Sequence, residues 1–324
     1  RSQNDGGFLG ESTHLESTHL ESTHPDSNLI NITRRERMKR TINIIPMTQE
    51  FSIPLSPDKK LPREVSFYII GGKKLHIIDA GTAGAWDLVK PVIIREGYNP
   101  GDIDSLFLTH SHPDHIGGAL SILHASLIPP VTGNSWASEN SAVLENTENT
   151  GKKTGNHPGE WTGTPGKKNR NSGESMNSIQ IQTNGCVVYA HKAEVGWIEQ
   201  TETQYKSRPV PGFHRLVEGD IHVTTIVGDQ SVFHPEPGFT IETLHTPGHS
   251  PGSVSYFLRE TGALFTGDAL LLPDELPICT DSMALLHTIE KIRGISGLHH
   301  IYTAWGAVIH QGEIMEFLDK SERF

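Results

Sequence analysis

The sequence predicts a layered α/β sheet structure. Strand-like apolar runs gather in two halves of the chain, and each half is followed by helix-like stretches. The length permits this: 324 residues can bury a sizeable core, as one large domain or two ordinary ones.

Met38 opens "MKRTINIIPM", which reads as the first strand. In "EVSFYIIGGKKLHIIDAG" two apolar runs flank Gly-Gly-Lys-Lys, a hairpin signature that ends in a turn at Asp79–Gly81. A helix follows from Ala85 to Glu96, with Gly97 placed to stop it. "DIDSLFLTH" is a buried-type strand, and "IGGALSILHASL" has the apolar spacing of a helix. Strand signals resume at "CVVYAH", residues 186–191, and "FTIETLHTPGHSPGSVSYFLRETGALFTGDALLL" supplies three more strands. A helix at Ser282–Arg293, a strand at "HHIYTAW" and an amphipathic helix from Glu313 complete the pattern.

Two polar segments fall outside this scheme. Residues 1–37 carry "ESTHLESTHLESTHPDS", three copies of a five-residue unit that buries almost nothing, so this segment is expected to be disordered and His14, His19 and His24 to be solvated. The folded part is expected to span 38–324. Residues at about 131–180 exceed any normal connection in a compact domain and read as a low-complexity insertion, tolerated at the surface or serving as a lid.

Composition removes several function classes. The net charge is −11, and the one short basic run, Arg34 to Arg40, reads as a solvated flank, so no nucleic-acid partner is expected. Cys186 and Cys279 are too few for a disulfide framework and suit reduced thiols in a cytoplasmic setting. No apolar run approaches the roughly 20 residues of a membrane span, so no membrane partner is expected.

Chemistry concentrates in "LFLTHSHPDHIGGAL", which packs three histidines and an aspartate into the positions from His110 to His115. His110 and His112 are two apart at a strand end, a spacing that projects both to one side. Pro113 suits the first turn of a helix, so the chain is expected to bend there and aim Asp114 and His115 at a neighbouring position. Gly117 and Gly118 allow the new helix to approach the sheet closely. Imidazole and carboxylate together suit zinc, iron or manganese.

"THSHPDHIGG" resembles the H-x-H-x-D-H signature of the metallo-β-lactamase superfamily. Other segments match in order: "IIDAG" with Asp79, "TPGHSPG" with His249 and "FTGDAL" with Asp268. The resemblance covers about residues 41–312 apart from the insertion, and it implies a four-layer αββα metallo-β-lactamase sandwich. By position it implies that His110, His112 and His249 hold a first metal, that Asp114 and His115 hold a second, and that Asp268 bridges them. Asp114 and Asp268 are then also the catalytic carboxylates, and Asp79 supports the ligands without binding metal.

One departure stands out. The resemblance leads to a Gly-His pair after a late strand, but here the segment reads "IYTAWGAVIH", with Trp305 at the expected histidine. Water or His310 is left to complete a second site, so one or two zinc ions, with iron or manganese in their place, fit the pattern. His191 reads as structural or substrate-contacting, His245 as packing, and His299 and His300 as surface or packing residues.

The implied activity is that of a metal-dependent hydrolase similar to the glyoxalase II and lactonase branch, using a metal-activated hydroxide on a small thioester, lactone or related ester. Three alternatives stay open: a mono-iron persulfide dioxygenase, with which Trp305 is compatible, a phosphodiesterase of the RNase Z type, and a metal-binding module without turnover. The flavo-diiron branch is disfavoured by His112, where its signature carries an acidic residue.

Overall fold

Apolar runs and alternating burial build two six-stranded sheets in a computed structural model that describes residues 41–129, 185–270, 278–306 and 308–323. The first sheet runs β1 (Asn43–Ser56), β2 (Lys59–Gly71), β3 (Leu75–Ile78), β4 (Ile103–Phe107), β5 (Val187–His191) and β6 (Thr225–Val227) in spatial order. Its first three strands are antiparallel, and β3 to β6 are parallel. The second holds β7 (Val232–Glu236), β8 (Phe239–His245), β9 (Val254–Leu258), β10 (Ala263–Gly267), β11 (His300–Thr303) and β12 (Ile309–His310). Here only β10 and β11 pair in parallel.

Eight helices are described: α1 (Ala85–Arg95), α2 (Pro113–Ile116), α3 (Ala119–Ser126), α4 (Lys192–Ile198), α5 (Thr201–Ser207), α6 (Phe213–Leu216), α7 (Ser282–Arg293) and α8 (Ile314–Ser321). Three apolar clusters separate the layers. Ile69, Ile77 and Leu106 on the first sheet pack against Val89 and Ile93 of α1 and Ile122 of α3. Tyr68, Phe107 and Tyr189 meet Phe239, Tyr256 and Phe265 between the sheets. On the far side of the second sheet, Leu264 and Ile301 meet Ile292 of α7 and Phe317 of α8. The result is the expected αββα sandwich. Its central strands are covered on both faces, which is why they read as unbroken apolar runs.

Most expected elements appear where the sequence put them. Helix α1 ends at Arg95 and Gly97 takes φ 76°, the left-handed stop. Pro113 occupies the first turn of α2, as its missing N–H favours. The stretch from Ile116 is two helices rather than one, broken at Gly117 and Gly118; a Cβ on Gly117 would strike the Leu216 and Pro113 carbonyls. The close approach is therefore to α6 and the 80–82 turn. The first strand also runs past the end of "MKRTINIIPM": β1 and β2 form a long hairpin paired from Asn43–Gly71 down to Ser56–Lys59. Strand β11 stops at Thr303, which leaves Trp305 in the loop beyond it. The 1–37 repeat segment and the 131–180 insertion lie outside the described residues.

Candidate metal centre

The sequence-predicted residues gather at the C-terminal ends of β4, β10 and β11 and in the β8–β9 loop, the rim where α/β sheets place their sites. Asp79 ends β3 with φ 59°, a left-handed conformation that aspartate tolerates better than most residues. Its carboxylate accepts the Thr109 amide and hydroxyl, both at 2.8 Å, and meets His115 Nδ1 at 2.8 Å. Since a carboxylate only accepts, His115 donates from Nδ1 and turns Nε2 inward. The Thr109 hydroxyl, already donating to Asp79, accepts from His110 Nδ1 at 3.0 Å, and His110 likewise presents Nε2. Asp79 thus orients two imidazoles, the supporting role the resemblance implied.

His249 is set the same way: Nδ1 donates to the Ile278 carbonyl at 2.6 Å. Its Nε2 lies 2.8 Å from His112 Nδ1 and 3.3 Å from Asp268 Oδ2. Ring centres of His110 lie 4.4 Å from His112 and 4.7 Å from His249. Donor atoms of His110, His112, His249 and Asp268 all fall within 4.8 Å of one another, and all four residues are buried. Positions 112 and 249, far apart in the chain, do meet.

His115 and Asp114 stand differently. His115 Nε2 is 3.2 Å from Asp268 Oδ1, on the other side of that carboxylate from His249. Asp114 shares the short α2 helix but stands outside the four-residue group. Asp268 therefore lies between the two predicted ligand sets. Its Oδ1 also accepts from the Trp305 indole N–H at 2.5 Å.

The residues fit a cation. His110 Nε2 and His115 Nε2 are buried without a hydrogen-bond partner, an uncommon state that a metal bond relieves. Burial, then neighbouring imidazoles, push the His110 pKa well below the ordinary range; burial, His249 and Arg208 do the same to His112. Both are held in the neutral form that ligates metal. At His115 burial disfavours the charged ring, but Asp268 and Asp79 outweigh it and hold the pKa well above the ordinary value. At Asp268 burial pushes up, and His115 and His249 outweigh it and hold the carboxyl low. Burial pushes the Asp114 carboxyl upward.

Three contributors escaped the sequence reading, all from the 192–208 stretch. Glu194, buried on α4, accepts from the Ser111 amide (3.1 Å) and hydroxyl, the Ser250 hydroxyl (2.8 Å) and the Gly252 amide (2.8 Å). Gln204 on α5 donates to the Ser111 carbonyl at 2.5 Å. Arg208, just past α5, contacts His112 Nε2. A carboxylate three residues past His191, at the strand-to-helix turn, was the one available signal.

The other histidines separate from the centre. His191 accepts the Ala193 amide at 3.3 Å to cap α4, and its ring stacks on His245 at 4.5 Å. His310 faces His300, Nδ1 to Nδ1 at 3.2 Å, on the last strands of the second sheet. It does not join the four-residue group. Cys186 and Cys279 are both free. Beside the centre, Trp305 and Gly306 line a cavity of about 620 Å³ with Phe51, Arg63 and Glu64. Among the described residues no helix is long and apolar enough to cross a membrane.

Comparison with known proteins agrees with this geometry. A family model described as the metallo-beta-lactamase superfamily matches residues 62–295. An atrochrysone carboxyl ACP thioesterase of Aspergillus fumigatus is 30% identical over 37% of this chain and 34% of its own. A mitochondrial persulfide dioxygenase ETHE1 of Bos taurus is 35% identical over 25% of this chain and 37% of its own. A hydroxyacylglutathione hydrolase of Brucella ovis is 30% identical over 29% of this chain and 32% of its own. The matched stretches span about a third of these relatives' length.

Proposed function

This chain belongs to the metallo-beta-lactamase superfamily, and we propose that it is a metal-dependent hydrolase acting on a small thioester, lactone or related ester. The observation that carries this reading is the buried convergence of His110, His112, His249 and Asp268 within 4.8 Å. Zinc suits that mixed imidazole and carboxylate set, and iron or manganese also fits it. A divalent ion held there supplies Lewis acidity, polarising a carbonyl and bringing the ionisation of water close to neutral pH.

The protein's own residues do the remainder. Asp79 and Thr109 fix the ring orientation of His115 and His110, so their Nε2 atoms need not reorganise. Asp268 carries the negative charge that offsets the cation. Asp114, whose carboxyl burial pushes upward, is the group suited to hold and return a proton at its carboxylate oxygens. A small-molecule partner follows from this reading, and the thioesterase and hydroxyacylglutathione hydrolase among the relatives support an acyl substrate. The two free thiols support a cytoplasmic setting.

The persulfide dioxygenase relative favours a second reading, oxygen-dependent sulfur chemistry with iron. Metal analysis of the purified protein, run with thioester, lactone, phosphodiester and persulfide substrates, separates the two. Zinc with ester or thioester turnover is expected; iron with oxygen consumption on a persulfide would replace the hydrolase by the dioxygenase. His112→Ala should abolish turnover, and full activity in metal-free protein would refute both.

A further inference from the structure

We infer that Trp305 confines this centre to a single metal ion. This rests on the metal-centre reading above and narrows it. The two oxygens of Asp268 have separate surroundings. Oδ2 faces His249 Nε2 at 3.3 Å and His110 Nε2 at 3.9 Å, and with His112 these residues offer their donors to one ion. Oδ1 accepts from the Trp305 indole at 2.5 Å. A second ion beside His115 would have to use that same oxygen.

An indole N–H donates and has no lone pair to offer an ion, so Trp305 occupies a ligand position without being able to ligate. Its backbone is pinned there. The neighbouring Ala304 carbonyl accepts the Ser66 amide at 2.7 Å, and the Ala304 amide donates to Gly267, adjacent to Asp268, at 3.3 Å. The protein donors left to a second ion are His115 and Asp114, two residues against the four of the first group. His310 does not make up the deficit, because its Nδ1 faces His300 on the sheet's last strands. Trp305 also lines the neighbouring cavity beside the β1–β2 hairpin.

The test is metal content after equilibrium dialysis of the full-length protein against excess Zn²⁺, read by mass spectrometry of zinc per chain, for wild type and Trp305→His. Circular dichroism checks that the variant is folded. Wild type should hold one zinc per chain, and Trp305→His, which supplies an imidazole at that position, should rise toward two. Two zinc ions in wild type, or one in folded Trp305→His, would overturn the inference while leaving the hydrolase reading intact. No zinc in either protein would overturn the inference, and the absence of any bound metal would overturn both.

Discussion

Glu194 and Ser250 are joined by a 2.8 Å hydrogen bond to Oε1, while the other oxygen of the same carboxylate takes the Ser111 amide at 3.1 Å. Ser250 follows His249, and Ser111 lies between His110 and His112. One buried carboxylate therefore ties together the two loops that bring the imidazoles to one point. Removing it strands several buried donors, each costing roughly 1–3 kcal/mol.

Glu194→Ala should accordingly lower the melting temperature and weaken zinc binding by ~10–100-fold, the range for groups that orient ligands. Glu194→Gln keeps the shape but turns an amide NH₂ toward donors that need an acceptor, so it should recover stability in part and affinity less. Isothermal titration with Zn²⁺ and thermal melts check both. Unchanged affinity in Glu194→Ala would show that the loops hold their positions without the clamp.

Asp79 separates backbone from chemistry. Asparagine tolerates the left-handed φ of 59° but cannot accept at both oxygens, whereas alanine also meets the ~1–2 kcal/mol left-handed penalty. Asp79→Asn is expected to melt within a few degrees of wild type and to bind zinc ~10–100-fold more weakly. Asp79→Ala should lose both. Equal melting temperatures for the two variants would remove the backbone part of this account.

Burial pushes the Cys186 thiol up to about 12 from 9.0, with Asp104 adding to it. The folded state thus keeps the proton that the unfolded chain releases. Stability from this site is intact below pH 9 and drains away as pH climbs toward 12. At pH 8 a thiol reagent should modify one equivalent per native chain, at the half-buried Cys279, and a second only after denaturation. Two fast equivalents in the native protein would contradict the burial.

What the sequence disclosed and what it hid follow from range. His110 to His115 were legible because their ligand types are adjacent in the chain, and His249 and Asp268 because short motifs around them resemble a known pattern. The part of the β1–β2 hairpin beyond Met47 was hidden because Pro54 and Pro62 interrupt its apolar runs, and Pro46 also lies in a strand. These prolines are tolerated because β1 is an edge strand and β2 pairs with β3 only from Tyr68 onward. Helices α4 and α5 were hidden because "TETQYKS" has no apolar period. What fixes them is tertiary: Glu194 and Gln204 bonding to loops about 55 to 95 positions away. Trp305 was visible as a departure, but its bond to Asp268 depends on two loops that meet only in the folded protein.

Arg208 sets the last expectation. Its guanidinium contacts His112 Nε2, and because arginine only donates, the ring must carry its hydrogen on Nδ1, the atom turned toward His249. An ion bound between those imidazoles takes the place of that proton, so the hydrogen must move to Nε2 and the guanidinium must withdraw. Arg208 also adds a like charge near the cation, weakened by its partial exposure to solvent. Both effects have one sign. Arg208→Ala should bind Zn²⁺ about tenfold more tightly at low ionic strength, with the gain shrinking as salt is raised. Titration of both proteins at two salt concentrations decides it, and weaker binding by Arg208→Ala would mean that the guanidinium supports the loaded site instead of competing with it.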